Sequence, residues 1–170
     1  MARSPTIKFD VKGDRKLMKA LDRLPKAVGR RIVPAAVLFG GRHLAREMKS
    51  RVADGPTGNL GESIVAEIVS RSGLRVLVQV GASTTKGRKG FHAHLVEYGT
   101  EPHQTVVDTK QVLAAEDGSI FGRVAEHPGS APKPFARPAW DEERVKVLTL
   151  IRRKLWDGIR REAGRLRVRA

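Results

Sequence analysis

Two β-branched runs limit this chain more than any other feature of its sequence. "ESIVAEIVSR" covers residues 62–71 and "LRVLVQV" covers 74–80, with Ser72-Gly73 between them. That spacing predicts an antiparallel hairpin over 62–80. Leu74, Val76, Val78 and Val80 alternate onto one face. A lone two-stranded hairpin is marginal in water, so this face needs a cover.

The amphipathic stretches available for that cover are helical. From Asp14, a possible N-cap, Leu17, Ala20, Leu21 and Leu24 keep helical spacing until Pro25, whose ring clashes with a continuing turn. Pro34 suits the first turn of a second helix, in which Val33, Val37, Gly41, Leu44 and Met48 share one face. It should stop before "ADGPTG", 53–58. A last helix is predicted over 138–164, with Val145, Leu148, Ile151, Leu155 and Ile159 as its apolar stripe and Trp156 beside it. Asp141, Glu142 and Glu143 in its first turn and Arg160, Arg161 and Arg165 in its last suit the helix dipole, with Gly164 as C-cap. The expected fold is α+β. An antiparallel β-sheet built on the hairpin packs against long N-terminal and C-terminal helices. The organisation is one domain over 1–164 (helices 14–52, hairpin 62–80, arm 101–134, last helix 138–164) and a basic tail over 165–170.

The net charge of +15 is unevenly placed. Residues 1–52 hold 14 Lys and Arg against 4 acids, 53–140 hold 9 against 9, and 141–170 hold 10 against 5. The excess therefore sits in the two ends, and two readings fit it: a polyanion or acidic partner, or simply solvated Arg-rich helices. With no cysteine there is no disulfide, thiolate metal site or thiol nucleophile, which fits an intracellular origin. No run approaches the roughly 18 apolar residues of a membrane span, and no secretory leader is expected.

The loops offer little for chemistry. "GASTTKGRKG", 81–90, follows a strand, but five residues separate Gly81 from Gly87 and Arg88 follows, so the phosphate-loop pattern fails and a mobile basic loop is expected. "FHAHLVEYGT", 91–100, reads as a short helix or a strand. As a strand it would put His92 and His94 on one face, with Glu97 or His103 as further zinc ligands, but the spacing matches no metal pattern. Residues 101–134 run without helical periodicity. Apolar runs on either side of "EDGS" suggest a projecting hairpin turning at Asp117-Gly118. In "HPGSAPKPFARPAWD", 127–141, Pro134 and Pro138 stiffen the approach to the last helix, and Phe135 and Trp140 become fixed anchors, setting that helix on the sheet.

Three of these pieces, in this order, resemble the neck or tail-completion family of long-tailed bacteriophages of the Hong Kong 97 type. They are "TGNLGESI" (57–64), "FHAHLVEYGT" (91–100) and "HPGSAPKPFARPAWD". The matching positions are Thr57, Gly58, Leu60, Ser63 and Ile64, then Val96, Glu97, Gly99 and Thr100, then Pro134, Phe135, Arg137 and Pro138. Residues 101–126 keep only Pro102-His103 of the commoner pattern, and Ala136 stands where Leu is frequent. The resemblance implies a non-enzymatic virion protein of α+β fold at the head–tail junction, assembled in the bacterial host cytoplasm; separately, no cofactor, metal or membrane contact is expected. It would form a ring, of six copies by tail symmetry or twelve if it follows the portal. Its neighbours would be head-closure or adaptor proteins and tail-terminator or tail-tube proteins, around a channel for duplex DNA. Gene transfer agents and domesticated tails share the resemblance.

Within that picture the neutral middle is the expected subunit contact. The contacts to DNA or an acidic ring fall to Arg15, Lys16, Lys19, Arg23, Lys26, Arg30, Arg31, Arg152, Arg153, Lys154, Arg160 and Arg161. The alternative is a basic, sequence-nonspecific nucleic-acid-binding protein, which composition favours but no recognised binding motif supports. For an enzyme there is no paired acidic motif at a strand end, and Glu97 has a structural alternative as a salt-bridge or capping residue.

Overall fold

The computed structural model describes residues 6–8, 28–52, 58–106, 113–114, 120–122 and 124–169. The helix expected over 14–24 and the turn at Asp117-Gly118 lie outside them.

The hairpin is present as β2 (Ile64–Ser72) and β3 (Arg75–Ala82), antiparallel, with Ser72 opposite Arg75. Its turn is Gly73-Leu74, one residue later than Ser72-Gly73. Gly73 is the first loop residue and takes φ +56°, a position that favours glycine. The hairpin also carries a bulge, since Ile68 pairs with Val78 but Ser70 with Leu77, so Val69 is the extra residue and is exposed. A short β1 (Thr6–Lys8), which sequence periodicity did not indicate, pairs antiparallel with β3 and makes it the central strand of three.

One helix sits at the centre of the packing. A π-helical turn, Val28–Ile32, runs directly into α1, Val33–Arg51. Val33, Val37, Leu44 and Met48 are buried as the spacing predicts, joined by Ala36 and Ala45. Apolar residues on two sides are needed because α1 is covered on two sides. A methyl on Gly41 would lie 2.8 Å from Val78 Cγ1 of β3, and one on Gly40 would lie 2.5 Å from Ile151 Cγ1 of the last helix. The adjacent glycines thus let the sheet approach one flank of α1 and a second helix the other.

That second helix is α4, Ala136–Arg169. Its extensive contacts are with α1 rather than with the sheet, so the layers run sheet, α1, α4. Its buried apolar residues are Ala136, Ala139, Val147, Ile151 and Leu155, the last four lying on one i, i+4 ridge that passes through half-buried Glu143. The buried face is therefore rotated from the stripe that the sequence predicts. Ile151 and Leu155 are buried, but Val145 is 70% exposed and Trp156 50% exposed. Narrow contact with one helix, instead of a broad seat on a sheet, is the physical reason. The helix also continues through Gly164 to Arg169, so Gly164 is not its cap and residues 165–169 are helical. An interior Gly costs about 1 kcal/mol relative to Ala, which a helix of this length tolerates.

Two further short helices, α2 (Asn59–Ser63) and α3 (Ala93–Tyr98), flank the hairpin in sequence. Glu62 and Ser63, expected in a strand, belong to α2. The arm is a ribbon of β4 (His103–Val106) with β7 (Val124–His127), and beyond it β5 (Leu113–Ala114) pairs with β6 (Ile120–Gly122). All four residues of β4 are exposed. Among the described residues no helix is long and apolar enough to cross a membrane.

Candidate functional site

The start of α4 is held by one carboxylate. Glu97, on the last turn of α3, is only 3% exposed. Its Oε2 accepts the backbone N–H groups of Phe135 at 2.8 Å and Ala136 at 2.9 Å, and its Oε1 accepts that of Arg137 at 3.1 Å. These are first-turn donors that no helical carbonyl can reach, and a negative charge there also complements the dipole. The surrounding residues keep the two segments together. The carbonyl of Val96 accepts the Lys133 N–H at 2.8 Å, and Thr100 and Ser130 exchange both backbone hydrogen bonds at 3.0 Å. Gly99 has φ +74°, and a methyl there would lie 2.5 Å from the Ser130 carbonyl oxygen. Arg137 stacks over the Tyr98 ring at 4.4 Å. Phe135 is buried between exposed Pro134 and half-buried Pro138, the latter in the first helical turn.

The remaining motif makes a separate corner. Gly58 takes φ +63° ahead of α2, and Leu60 and Ile64 enter the core. Ser63, fully buried, donates its hydroxyl to the Leu60 carbonyl at 2.7 Å, and its own carbonyl accepts the Ser83 N–H at 2.9 Å. The glycine-rich loop is therefore tied back to this corner. Gly90 N–H also reaches the Ser83 carbonyl, and Lys86 and Arg88 turn toward Glu67. Thr57 lies outside the described residues.

This geometry uses Glu97 for capping and leaves it nothing for zinc. His92 begins a short helix, His94 is half-buried, and His103 stacks on His127 across the arm, with ring centroids 5.0 Å apart. The ligand set considered from sequence is not assembled.

The basic residues are partly gathered. Arg31, Lys154, Arg161 and Glu162 line an open groove of about 410 Å³ between the start of α1 and the C-terminal half of α4, with Ile32, Ala35 and Gly158 completing its wall. A methyl on Gly158 would overlap Ile32, so this glycine lets the two helices close there. Lys154 also lies 5.0 Å from the centroid of the Phe39 ring. Arg30, Arg152, Arg153 and Arg160 are exposed and do not line the groove. Arg15, Lys16, Lys19, Arg23 and Lys26 lie outside the described residues. Three cations against one carboxylate suit an anionic group.

A third cluster is not visible in the sequence. His43 on α1, 7% exposed, shares a 2.6 Å hydrogen bond through Nε2 with Glu143 of α4, a hundred residues away. That hydrogen bond holds the Glu143 carboxyl below the usual carboxylate range; partial burial opposes it and Lys146 adds to it. Glu47, one turn along α1, completes a group whose ligand atoms lie within 4.8 Å of one another.

Residues 15–99, half of the chain, match the family described as "Bacteriophage HK97-gp10, putative tail-component". No curated protein and no solved structure matches the chain. The family match spans the β2–β3 hairpin, α1 and the Glu97-bearing helix, and within this chain Glu97 ties that matched region to the proline-rich segment beyond it. The chain belongs to the HK97-gp10-like family of bacteriophage tail components.

Proposed function

We infer that this protein works at the head–tail junction of a tailed phage or phage-like particle, as a ring of identical subunits that joins head-connector to tail proteins around the DNA channel. The β4–β7 ribbon carries this reading. It is a two-stranded structure with Val106 60% and Val124 49% exposed. Such a ribbon is marginal alone in water and gains stability when a neighbour covers it. Phe91 and Tyr98, more than half exposed on the adjacent α3 segment, extend the apolar surface within the neutral middle of the chain. That segment is the natural subunit contact, since the basic ends would repel one another there. Six copies match tail symmetry, and twelve would match a portal.

The groove at Arg31, Lys154 and Arg161 supports a contact to DNA phosphate or to acidic residues of the adjoining ring. Phosphate contacts would be sequence-blind and salt-sensitive. Native mass spectrometry at low and high salt, with and without a short duplex, tests the assignment. A hexamer or dodecamer that survives high salt supports the junction ring. A species that remains monomeric with purified tail tubes and only binds duplex at low salt would instead identify a nonspecific nucleic-acid-binding protein.

A further inference from the structure

The cluster between α1 and α4 has a composition that packing alone does not require. His43 and Glu47 are one turn apart on α1 and project from the same side of the helix. Glu143 comes from the facing helix. The three are progressively more open, with side chains 8%, 16% and 31% exposed for His43, Glu143 and Glu47, so the site is walled on one side and reachable from the other.

The cations around the cluster leave it incompletely neutralised. Arg51 makes its short contact with Glu142 and lies 3.5 Å from Glu47, at the limit of a hydrogen bond. Lys146 stands 3.2 Å from Glu143. Glu47 therefore has a carboxylate only weakly engaged by that arginine, one turn from a buried imidazole nitrogen.

We propose that His43, Glu47 and Glu143 bind a divalent transition-metal ion of the zinc class and that the ion staples α1 to α4. One imidazole nitrogen and two carboxylate oxygens form a donor set suited to Zn²⁺, with the remaining position open to water. Around a tetrahedral ion with bonds of about 2.0 Å, ligand atoms lie roughly 3.3 Å apart. The three donor atoms here fall within 4.8 Å of one another, and the closest pair is at 2.6 Å. A small rotation of Glu47 inward and of Glu143 outward brings them onto such a sphere. The ion would replace the hydrogen between His43 and Glu143, and Lys146 and Arg51 would remain as outer donors to the two carboxylates. Because the donors come from both helices, the folded chain would bind far more tightly than the unfolded one and gain stability by mass action. This site is independent of ring assembly and of the basic groove.

The test uses the full chain after chelator treatment. Zn²⁺ should raise the melting temperature in a saturable, EDTA-reversible manner, and Co²⁺ should give visible absorption bands of a low-coordinate site. Glu47→Gln keeps the His43–Glu143 contact and should weaken Zn²⁺ at least about tenfold, since even outer partners are worth ten- to hundredfold. The stacked pair His103 and His127 is the obvious competing site, so the H103Q/H127Q double variant should retain the wild-type response. Absence of both the thermal shift and the Co²⁺ bands at millimolar metal would overturn the proposal. So would an undiminished response in Glu47→Gln, or its loss in the double variant.

Discussion

Replacing Glu97 by Gln keeps the shape of the side chain and removes the charge that organises the start of α4. In the wild type one carboxylate oxygen accepts two backbone N–H groups and the other accepts a third, at 2.8, 2.9 and 3.1 Å. The best orientation of the amide keeps its oxygen where Oε2 stood, so two bonds survive as neutral ones. Hydrogen bonds to charged groups contribute about 1.5–3 kcal/mol and neutral ones about 0.5–1.5, so each is weakened by roughly 1 kcal/mol. The amide NH₂ then faces the Arg137 N–H, donor against donor; this N–H is only part-buried, so water replaces the lost bond in part and the further cost is about 1 kcal/mol. The expected loss is about 3 kcal/mol, or roughly 6–12 °C in melting temperature for a chain of this size. Urea unfolding should show the midpoint falling with an unchanged slope, because the core is untouched. A change smaller than about 0.5 kcal/mol would mean that Glu97 does not hold the helix start, and the physical link between the two motifs would fail.

The same packing sets the outcome of other substitutions. Gly40→Ala adds a methyl 2.5 Å from Ile151 Cγ1; overpacking of about 1–3 kcal/mol should outweigh a helix-propensity gain of about 1 kcal/mol, with the net loss read by thermal unfolding. Trp156→Gln, half exposed, should stay within about 0.5 kcal/mol of wild type, whereas Val147→Ala, buried at 1% exposure, should cost about 2 kcal/mol. The triple variant R31A/K154A/R161A should weaken duplex retention and flatten its dependence on salt, with the log–log slope reduced by about 0.9 for each phosphate no longer neutralised. Unchanged retention at low salt would remove the groove from DNA binding.

Local signals are legible in this sequence and long-range ones are not. The β2–β3 hairpin and the core face of α1 are periodic within one element, so Val78, Val80, Leu44 and Met48 can be placed without a fold. The face of α4 cannot. Its stripe includes several apolar residues on more than one side, and only the neighbour decides which are buried; that neighbour is α1, brought close by Gly40. β1 is three residues long and carries no periodic signal. Glu97 is open to a capping role from sequence, but its partners lie 38 to 40 positions away and become evident only when α3 meets the start of α4. His43 and Glu143 pair across a hundred residues, and nothing in local spacing marks them. The basic ends are legible as charge, yet only the packing of α1 against α4 selects Arg31, Lys154 and Arg161 from among them.

Whether this member of a tail-component family joins heads to tails is decided by electron microscopy of particles made with its coding sequence deleted. DNA-filled heads and separate tails that fail to join are expected, with joining restored by the wild-type chain supplied in trans. Intact particles in normal numbers without the protein would overturn the junction assignment.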